Sequence, residues 1–283
     1  MMARAAYKHI CQLLSDAGNE SAAFDAWCML EHVTGISRTA LTVAEYTLSA
    51  EHFARLEEIA ARRGAGYPLQ YLLGEWDFLS LTLAVGEGVL IPRPDTELLC
   101  ETAAELLPVG GRVRIIDLCA GSGCVGLGIA SLGEDVHVTA AELSDAAIVY
   151  LKRNCERYPR LDVVPVKCDV LRDAERFCGI FQPFDAIVSN PPYIPSGDIS
   201  AVSQEVQHEP LIALDGADDG LMFYRVIAGE WLTLLTVGGF CAVEVGIGQA
   251  ADVAAIFGAA GLQEIEIKTD LCGVDRVVCG RKL

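Results

Sequence analysis

Seven short apolar runs, separated by longer stretches of helical spacing, constrain this chain more than any other feature of it. The runs cover residues 113–118, 136–141, 163–166, 184–189, 240–245, 262–267 and 274–279. Each has the length and β-branched content of a buried strand. Helical patterns fill most of the intervals, notably 145–158 and 249–260. Alternation of this kind buries both faces of a sheet under helices and requires mostly parallel strands. The expected fold is α/β: a doubly wound, mostly parallel seven-stranded sheet of the Rossmann-like type.

The turn after the first of these strands carries the clearest local chemistry. Asp117-Leu118-Cys119-Ala120-Gly121-Ser122-Gly123-Cys124-Val125-Gly126 leaves a strand and opens a helix, and its glycines spell G-x-G-x-x-G. Glycines there let the backbone approach a ligand, and the free N–H groups of the helix start favour an anionic group. Glu142 closes the next strand, where a carboxylate accepts hydrogen bonds from ribose hydroxyls. The loop alone suits an NAD-dependent oxidoreductase, an S-adenosylmethionine-dependent methyltransferase or a non-catalytic nucleotide sensor.

The fourth strand separates these readings. Phe184-Asp185-Ala186-Ile187-Val188-Ser189 runs into Asn190-Pro191-Pro192-Tyr193. Two prolines fix φ and end the strand in a stiff corner. The Asn190 side-chain oxygen and the Pro191 carbonyl are two acceptors that suit an NH2 group, and Tyr193 offers a flat face for a planar one. A plain Pro-rich turn would look the same in isolation. Facing a cofactor loop, the corner serves methyl transfer to a planar amino or amide group, and neither hydride transfer nor ligand sensing has a use for it.

Upstream, residues 1–73 read as a small helical bundle. Ile10, Leu13 and Leu14 form one stripe, and Phe24, Trp27, Leu30 and Val33 another. Ser49 is placed to cap a helix that runs through Arg63 to Gly64, and Pro68 suits a first helical turn. Residues 74–90 form a hairpin linker with weak alternation at Phe78, Leu81, Leu83 and Val85, and residues 91–283 form the cofactor-binding domain. In Ile91-Pro92-Arg93-Pro94-Asp95-Thr96-Glu97 two prolines hold Arg93 on a stiff support, before a helix expected to start near Thr96 with Asp95 or Thr96 as its cap.

Charge and cysteine content narrow the partners. Up to Leu73 there are eight acidic and six basic side chains, so −16 of the net −18 belongs to the remainder. So acidic a surface disfavours a nucleic-acid substrate, because phosphate binding draws on basic side chains. The eleven cysteines are scattered without a Cys-x-x-Cys pair, which indicates neither a zinc site nor a disulfide framework. No leader pattern or membrane-spanning run is visible, so a cytoplasmic protein is expected.

The glycine loop, Glu142, Asn190-Pro191-Pro192-Tyr193 and the Ile91–Glu97 segment together resemble the HemK/PrmC family of peptide chain release factor glutamine N5-methyltransferases. The likeness covers nearly the whole chain, including Glu209-Pro210 and residues 213–221. Asn-Pro-Pro-Tyr also occurs in adenine-N6 and other amino-group methyltransferases, and its pairing with the Arg93 segment is what makes the likeness specific. The resemblance implies S-adenosylmethionine as cofactor and the glutamine of a release factor's Gly-Gly-Gln motif as substrate, with a ribosomal-protein glutamine or the N6 of adenine in a nucleic acid as alternatives. It implies that Asp117, Cys119, Ala120, Gly121, Ser122 and Gly123 hold the methionine end and Glu142 the ribose. Asp169 and Val170 would meet the adenine, and Asn190 the transferable methyl group. Asn190, Pro191, Pro192 and Tyr193 would receive the substrate, Asn190, Pro191 and Tyr193 acting in catalysis, and residues 1–73 would recognise the protein that carries it. One departure is Cys119, where many members have glycine.

Overall fold

The computed structural model describes residues 1–43, 45–108, 110–181 and 183–283, which divide into two compact units. The first comprises Met1–Gly74 and Ser203–His208, the second Glu75–Val202 and Glu209–Leu283.

The first unit contains α1 (Ala3–Asp16), α2 (Ala22–Thr34), α3 (Arg38–Val43), α4 (Ala50–Gly64) and α5 (Leu69–Leu73). The Ser49 hydroxyl accepts the His52 N–H at 3.0 Å and so caps α4, and α4 ends at Gly64. Pro68 stands just before α5, as its cap residue. The apolar stripes are corrected by the structure. Phe24 is 55% exposed and Leu13 42% exposed, whereas Ala6, Ile10 and Leu14 of α1 and Ala22, Ala26, Met29 and Leu30 of α2 are buried. Alanines in both faces let helix axes approach closely, so the large side chains do not mark the interface by themselves. Within this unit the buried Arg63 guanidinium pairs with Asp25 at 2.6 Å and with Glu205 at 2.7 Å. The segment Ser203–His208 is thereby clipped onto the helices. His208 is exposed, its ring 5.1 Å from that of Tyr67.

The second unit begins with the hairpin β1 (Glu75–Phe78) and β2 (Leu81–Ala84), followed by α6 (Pro94–Leu106). Phe78, Leu81 and Leu83 turn into the core, and the Glu97 carboxylate accepts the N–H of Leu79 at the hairpin tip at 2.9 Å. Helix α6 starts two residues earlier than the sequence suggests. Arg93 is its cap residue, without a side-chain cap bond, and Pro94 opens the first turn. A proline suits that position because its φ is already helical and the N–H it lacks has no partner there. Neither Asp95 nor Thr96 caps the helix, and Thr96 is free for another task.

The main sheet is formed by β3 (Val113–Leu118), β4 (Val136–Glu142), β5 (Asp162–Lys167), β6 (Phe184–Ser189), β7 (Leu235–Glu244), β8 (Gln263–Thr269) and β9 (Asp275–Arg281). Between them lie α7 (Cys124–Leu132), α8 (Asp145–Arg157), α9 (Ala174–Ile180), α10 (Met222–Gly229) and α11 (Ala250–Ala259). The spatial order is β5-β4-β3-β6-β7-β9-β8. Pairing is parallel from β5 to β7, and only β9 runs against its neighbours. Alternate residues feed two cores, one on each face. Ile116, Leu118 and Ile187 lie in one with Trp231 and Phe257, and Ile115, Ala186 and Val188 in the other with Leu127 and Leu99. Burial on both faces explains why the central strands read as continuous apolar runs. Among the described residues no helix is long and apolar enough to cross a membrane.

Candidate active site

Strand β3 has β4 on one side and β6 on the other, so successive connections leave it in opposite directions. A crevice must open beyond the carboxyl ends of these strands, where doubly wound sheets bind ligands. A cavity of about 560 Å³ lies there, within the range of sites that hold a small molecule.

The floor is the turn after β3. The Gly121 N–H donates to Glu142 Oε2 at 2.7 Å, and the other Glu142 oxygen accepts the Ser144 N–H at 2.6 Å. One carboxylate thus joins the glycine loop to the end of β4, and it lines the cavity together with Cys119, Ala120, Gly121 and Ser122. Gly126 sits where a side chain would be crowded, since an added Cβ would lie 3.0 Å from Val138 and 3.1 Å from Asp117 Oδ2. Its N–H donates to that same oxygen at 2.9 Å, tying α7 to β3. Asp117 lies beneath the loop, wholly buried and outside the cavity wall. Gly123, with φ of 83°, is likewise behind the wall. The Asn154 side chain holds the loop from α8, donating to Ser122 O at 2.9 Å and to Ala84 O at 3.1 Å.

Cys119 has φ of 61°, in the left-handed region. A Cβ there costs roughly 1–2 kcal/mol relative to glycine, while the thiol packs against the core and burial raises its pKa well above the usual thiol range. Both Cys119→Gly and Cys119→Ala remove the sulfur, but only the alanine keeps the strained Cβ. The glycine variant is therefore expected to be the more stable by about 1 kcal/mol in urea denaturation. An alanine variant equal to or above the glycine variant would show that the turn relaxes without cost.

Across the cavity stand Asp169 and Val170, after β5. The Asp169 side chain folds back on its own turn, accepting the Leu171 N–H at 3.0 Å, while Trp231 Nε1 donates to Val170 O at 2.9 Å. This loop is held rigidly, and Leu171, Leu211, Ile212 and Phe223 add apolar lining. Arg93 also reaches the cavity and pairs with the buried Glu209, whose second oxygen accepts the Ile91 N–H at 3.0 Å.

The corner after β6 completes the wall. The Ser189 hydroxyl donates to Leu118 O at 2.7 Å, fixing the two strand ends together. Asn190 and Pro192 face the cavity, whereas Pro191 and Tyr193 lie behind it. The Asn190 amide donates from Nδ2 to Thr96 Oγ1 at 3.1 Å, and its buried Oδ1 has no partner among the described residues. Thr96 in turn donates to Glu244 Oε2 at 2.6 Å, and the Tyr193 hydroxyl donates to Glu244 Oε1 at 3.2 Å. Burial raises the Tyr193 phenol pKa, and the neighbouring Glu244 reinforces it. Sequence reasoning passed over Thr96 and Glu244. An acidic residue inside the apolar run of β7 was the available signal, because a buried carboxylate has to have partners.

The chain matches two family models, "PrmC N-terminal domain" over residues 5–74 and "Conserved hypothetical protein 95" over residues 74–223. It is 37% identical to the release factor glutamine methyltransferase of Geobacter sulfurreducens, over 95% of this chain and 92% of that protein. The corresponding protein of Caulobacter vibrioides is 36% identical over the same shares. A methyltransferase structure from Pyrococcus furiosus, 18% identical, superposes over 83% of this chain and 99% of its own with a TM-score of 0.52, and so shares the fold. Identity at this level along almost the full length of both relatives means that the chain belongs to the release factor glutamine methyltransferase family.

Proposed function

We propose that the protein transfers a methyl group from S-adenosylmethionine to the side-chain amide nitrogen of the glutamine in the Gly-Gly-Gln motif of a peptide chain release factor. The observation that carries this reading is the unpartnered Oδ1 of Asn190, buried at the cavity wall on a corner stiffened by two prolines. An orphaned acceptor costs free energy in the free protein and is expected where a ligand N–H arrives.

The residues present fit the cofactor. Ser122 contributes to the same wall a buried hydroxyl without a partner among the described residues, Glu142 supplies carboxylate oxygens that can accept ribose hydroxyls, and Val170 with Leu171 offers an apolar slot for a base. When bound, S-adenosylmethionine supplies an electrophilic sulfonium methyl group. The chain's own task is to present a weak nucleophile. An amide nitrogen shares its lone pair with its carbonyl, so holding an N–H on Asn190 Oδ1, the acceptor of the corner that faces the cavity, aims the nitrogen and stabilises positive charge as it develops. No strong base is needed beforehand, and the extra proton departs to water after transfer. Tyr193 supports the corner from behind through Glu244. The helical unit supplies contacts to the protein substrate, in the cytoplasm where release factors work. Nucleic acid is not a partner in this reading.

Intact mass analysis of a purified release factor incubated with the protein and labelled S-adenosylmethionine tests the proposal. The expected result is a gain of one methyl group that disappears when the motif glutamine is replaced by alanine. Methylation confined to a ribosomal protein, or to adenine in DNA or RNA, would overturn the substrate assignment.

A further inference from the structure

The Asn190 amide has two orientations of nearly identical shape, and only one presents an acceptor to the cavity. Something must choose between them. The register that pairs Ser189 with Val243 brings the next residues, Asn190 and Glu244, off adjacent parallel strands at the same level. Thr96 enters between them from the first turn of α6, 1% exposed, and Glu244 is 2% exposed. We propose that Thr96 and Glu244 are positioning residues that set the direction of the Asn190 amide, and through it the substrate specificity for an NH2 group.

A threonine hydroxyl has a single proton. With Glu244 ionised its Oε2 takes that proton, at 2.6 Å, so toward Asn190 the Thr96 oxygen can only accept. Asn190 must then turn its NH2 to Thr96, at 3.1 Å, and its carbonyl oxygen to the cavity. A flipped amide would set a carbonyl against a hydroxyl oxygen with no proton left to share, and would show the substrate a donor where it needs an acceptor. The second Glu244 oxygen is held by the Tyr193 hydroxyl at 3.2 Å, and Tyr224 donates to the Glu244 backbone carbonyl at 2.9 Å. These bonds hold the carboxylate in place, so that one buried group fixes both ends of the Asn-Pro-Pro-Tyr corner. This is the kind of support that keeps a reacting geometry within tolerance.

The inference rests on the glutamine methyltransferase reading, and the test separates the two. Thr96→Val preserves shape and removes the hydroxyl, while Thr96→Ser preserves the hydroxyl. With a release factor as substrate, Thr96→Val is expected to lower kcat about tenfold or more while leaving KM and S-adenosylmethionine affinity within about threefold of the parent. Thr96→Ser should restore most of kcat. In an Asn190→Ala background, Thr96→Val should cost nothing further, because the group it aims is gone. A readout independent of turnover is also available, since the chain has only three asparagines, Asn19, Asn154 and Asn190. Selective 15N labelling of asparagine should show slow exchange of an Asn190 side-chain proton in the parent and in Thr96→Ser, and at least about tenfold faster exchange in Thr96→Val. Full kcat in Thr96→Val, equal losses in both variants, or additive losses with Asn190→Ala would overturn the positioning role. Failure of the parent protein to methylate the release factor would instead refute the substrate reading, and the exchange measurement would still decide whether Thr96 directs the amide.

Discussion

Asn190→Ala is expected to lower methyl transfer to a release factor on the order of 10²-fold, the usual cost of removing one preorganised polar group from a transition state. The substitution deletes a buried acceptor that has no partner among the described residues and leaves the substrate NH2 without the side-chain acceptor of the corner that faces the cavity. Folding should be little affected, because the lost bond to Thr96 lies at the cavity edge and Ser189 still ties β6 to β3. Asn190→Asp is the sharper variant. It keeps an acceptor oxygen but gives up the Nδ2 donor to Thr96, and it brings a second carboxylate beside the buried Glu244 with only a hydroxyl between them. Like charges so close cannot both be ionised cheaply, so this variant too should fall well below the parent. Single-turnover mass analysis with saturating cofactor measures the effect. Asn190→Ala transferring at the parental rate with intact cofactor binding would remove the corner from the chemistry.

The sequence and the structure agree most closely where burial is two-sided. Strands β3 and β6 occupy the expected residues, because a strand covered on both faces writes its length directly into an apolar run. Agreement weakens toward the sheet edge, where β8 is exposed at most of its positions and β7 begins at Leu235, five residues before its apolar run starts at Phe240. In α2 the large side chains are an uneven guide, since Leu30 of the expected stripe is buried while Phe24 is exposed and Ala22, Ala26 and Met29, outside that stripe, are buried.

The site divides in the same way. Residues made conspicuous by backbone chemistry, the glycines after β3 and the prolines after β6, are legible because no other residue types do their work. Cys119 hides the same requirement, since a left-handed turn at φ of 61° is filled by a residue that gives no hint of it. The link from Asn190 to Thr96 and on to Glu244 is not legible at all. It joins residues 94 and 148 positions apart, and each member has an ordinary local explanation as a corner, a helix cap or a strand residue. Only the sheet register and the proline-initiated start of α6 bring them together.

The folding stability should carry the mark of Asp117, which the fold holds in its protonated form. Desolvation raises its pKa to about 8, helped by the nearby Glu142 and opposed by the Gly126 N–H. In the unfolded chain an aspartate titrates near ~4. Between those values the folded state keeps a proton that the unfolded state has released. Its contribution is therefore fully present below about pH 4 and declines as pH rises through about 8. Asp117→Asn keeps an oxygen for the Gly126 N–H but cannot ionise, so its stability lacks this decline. The difference in unfolding free energy between the two proteins should move in favour of the variant by several kcal/mol between about pH 5 and pH 8, at ~1.4 kcal/mol per pH unit at most. Burial raises the Glu244 pKa to about 7, but Glu244 is common to both proteins and cancels in the difference. Urea denaturation of the cofactor-free protein and of Asp117→Asn at several pH values measures it. Parallel curves across that window would mean that Asp117 titrates alike in both states, and that the carboxylate under the glycine loop is ionised at neutral pH.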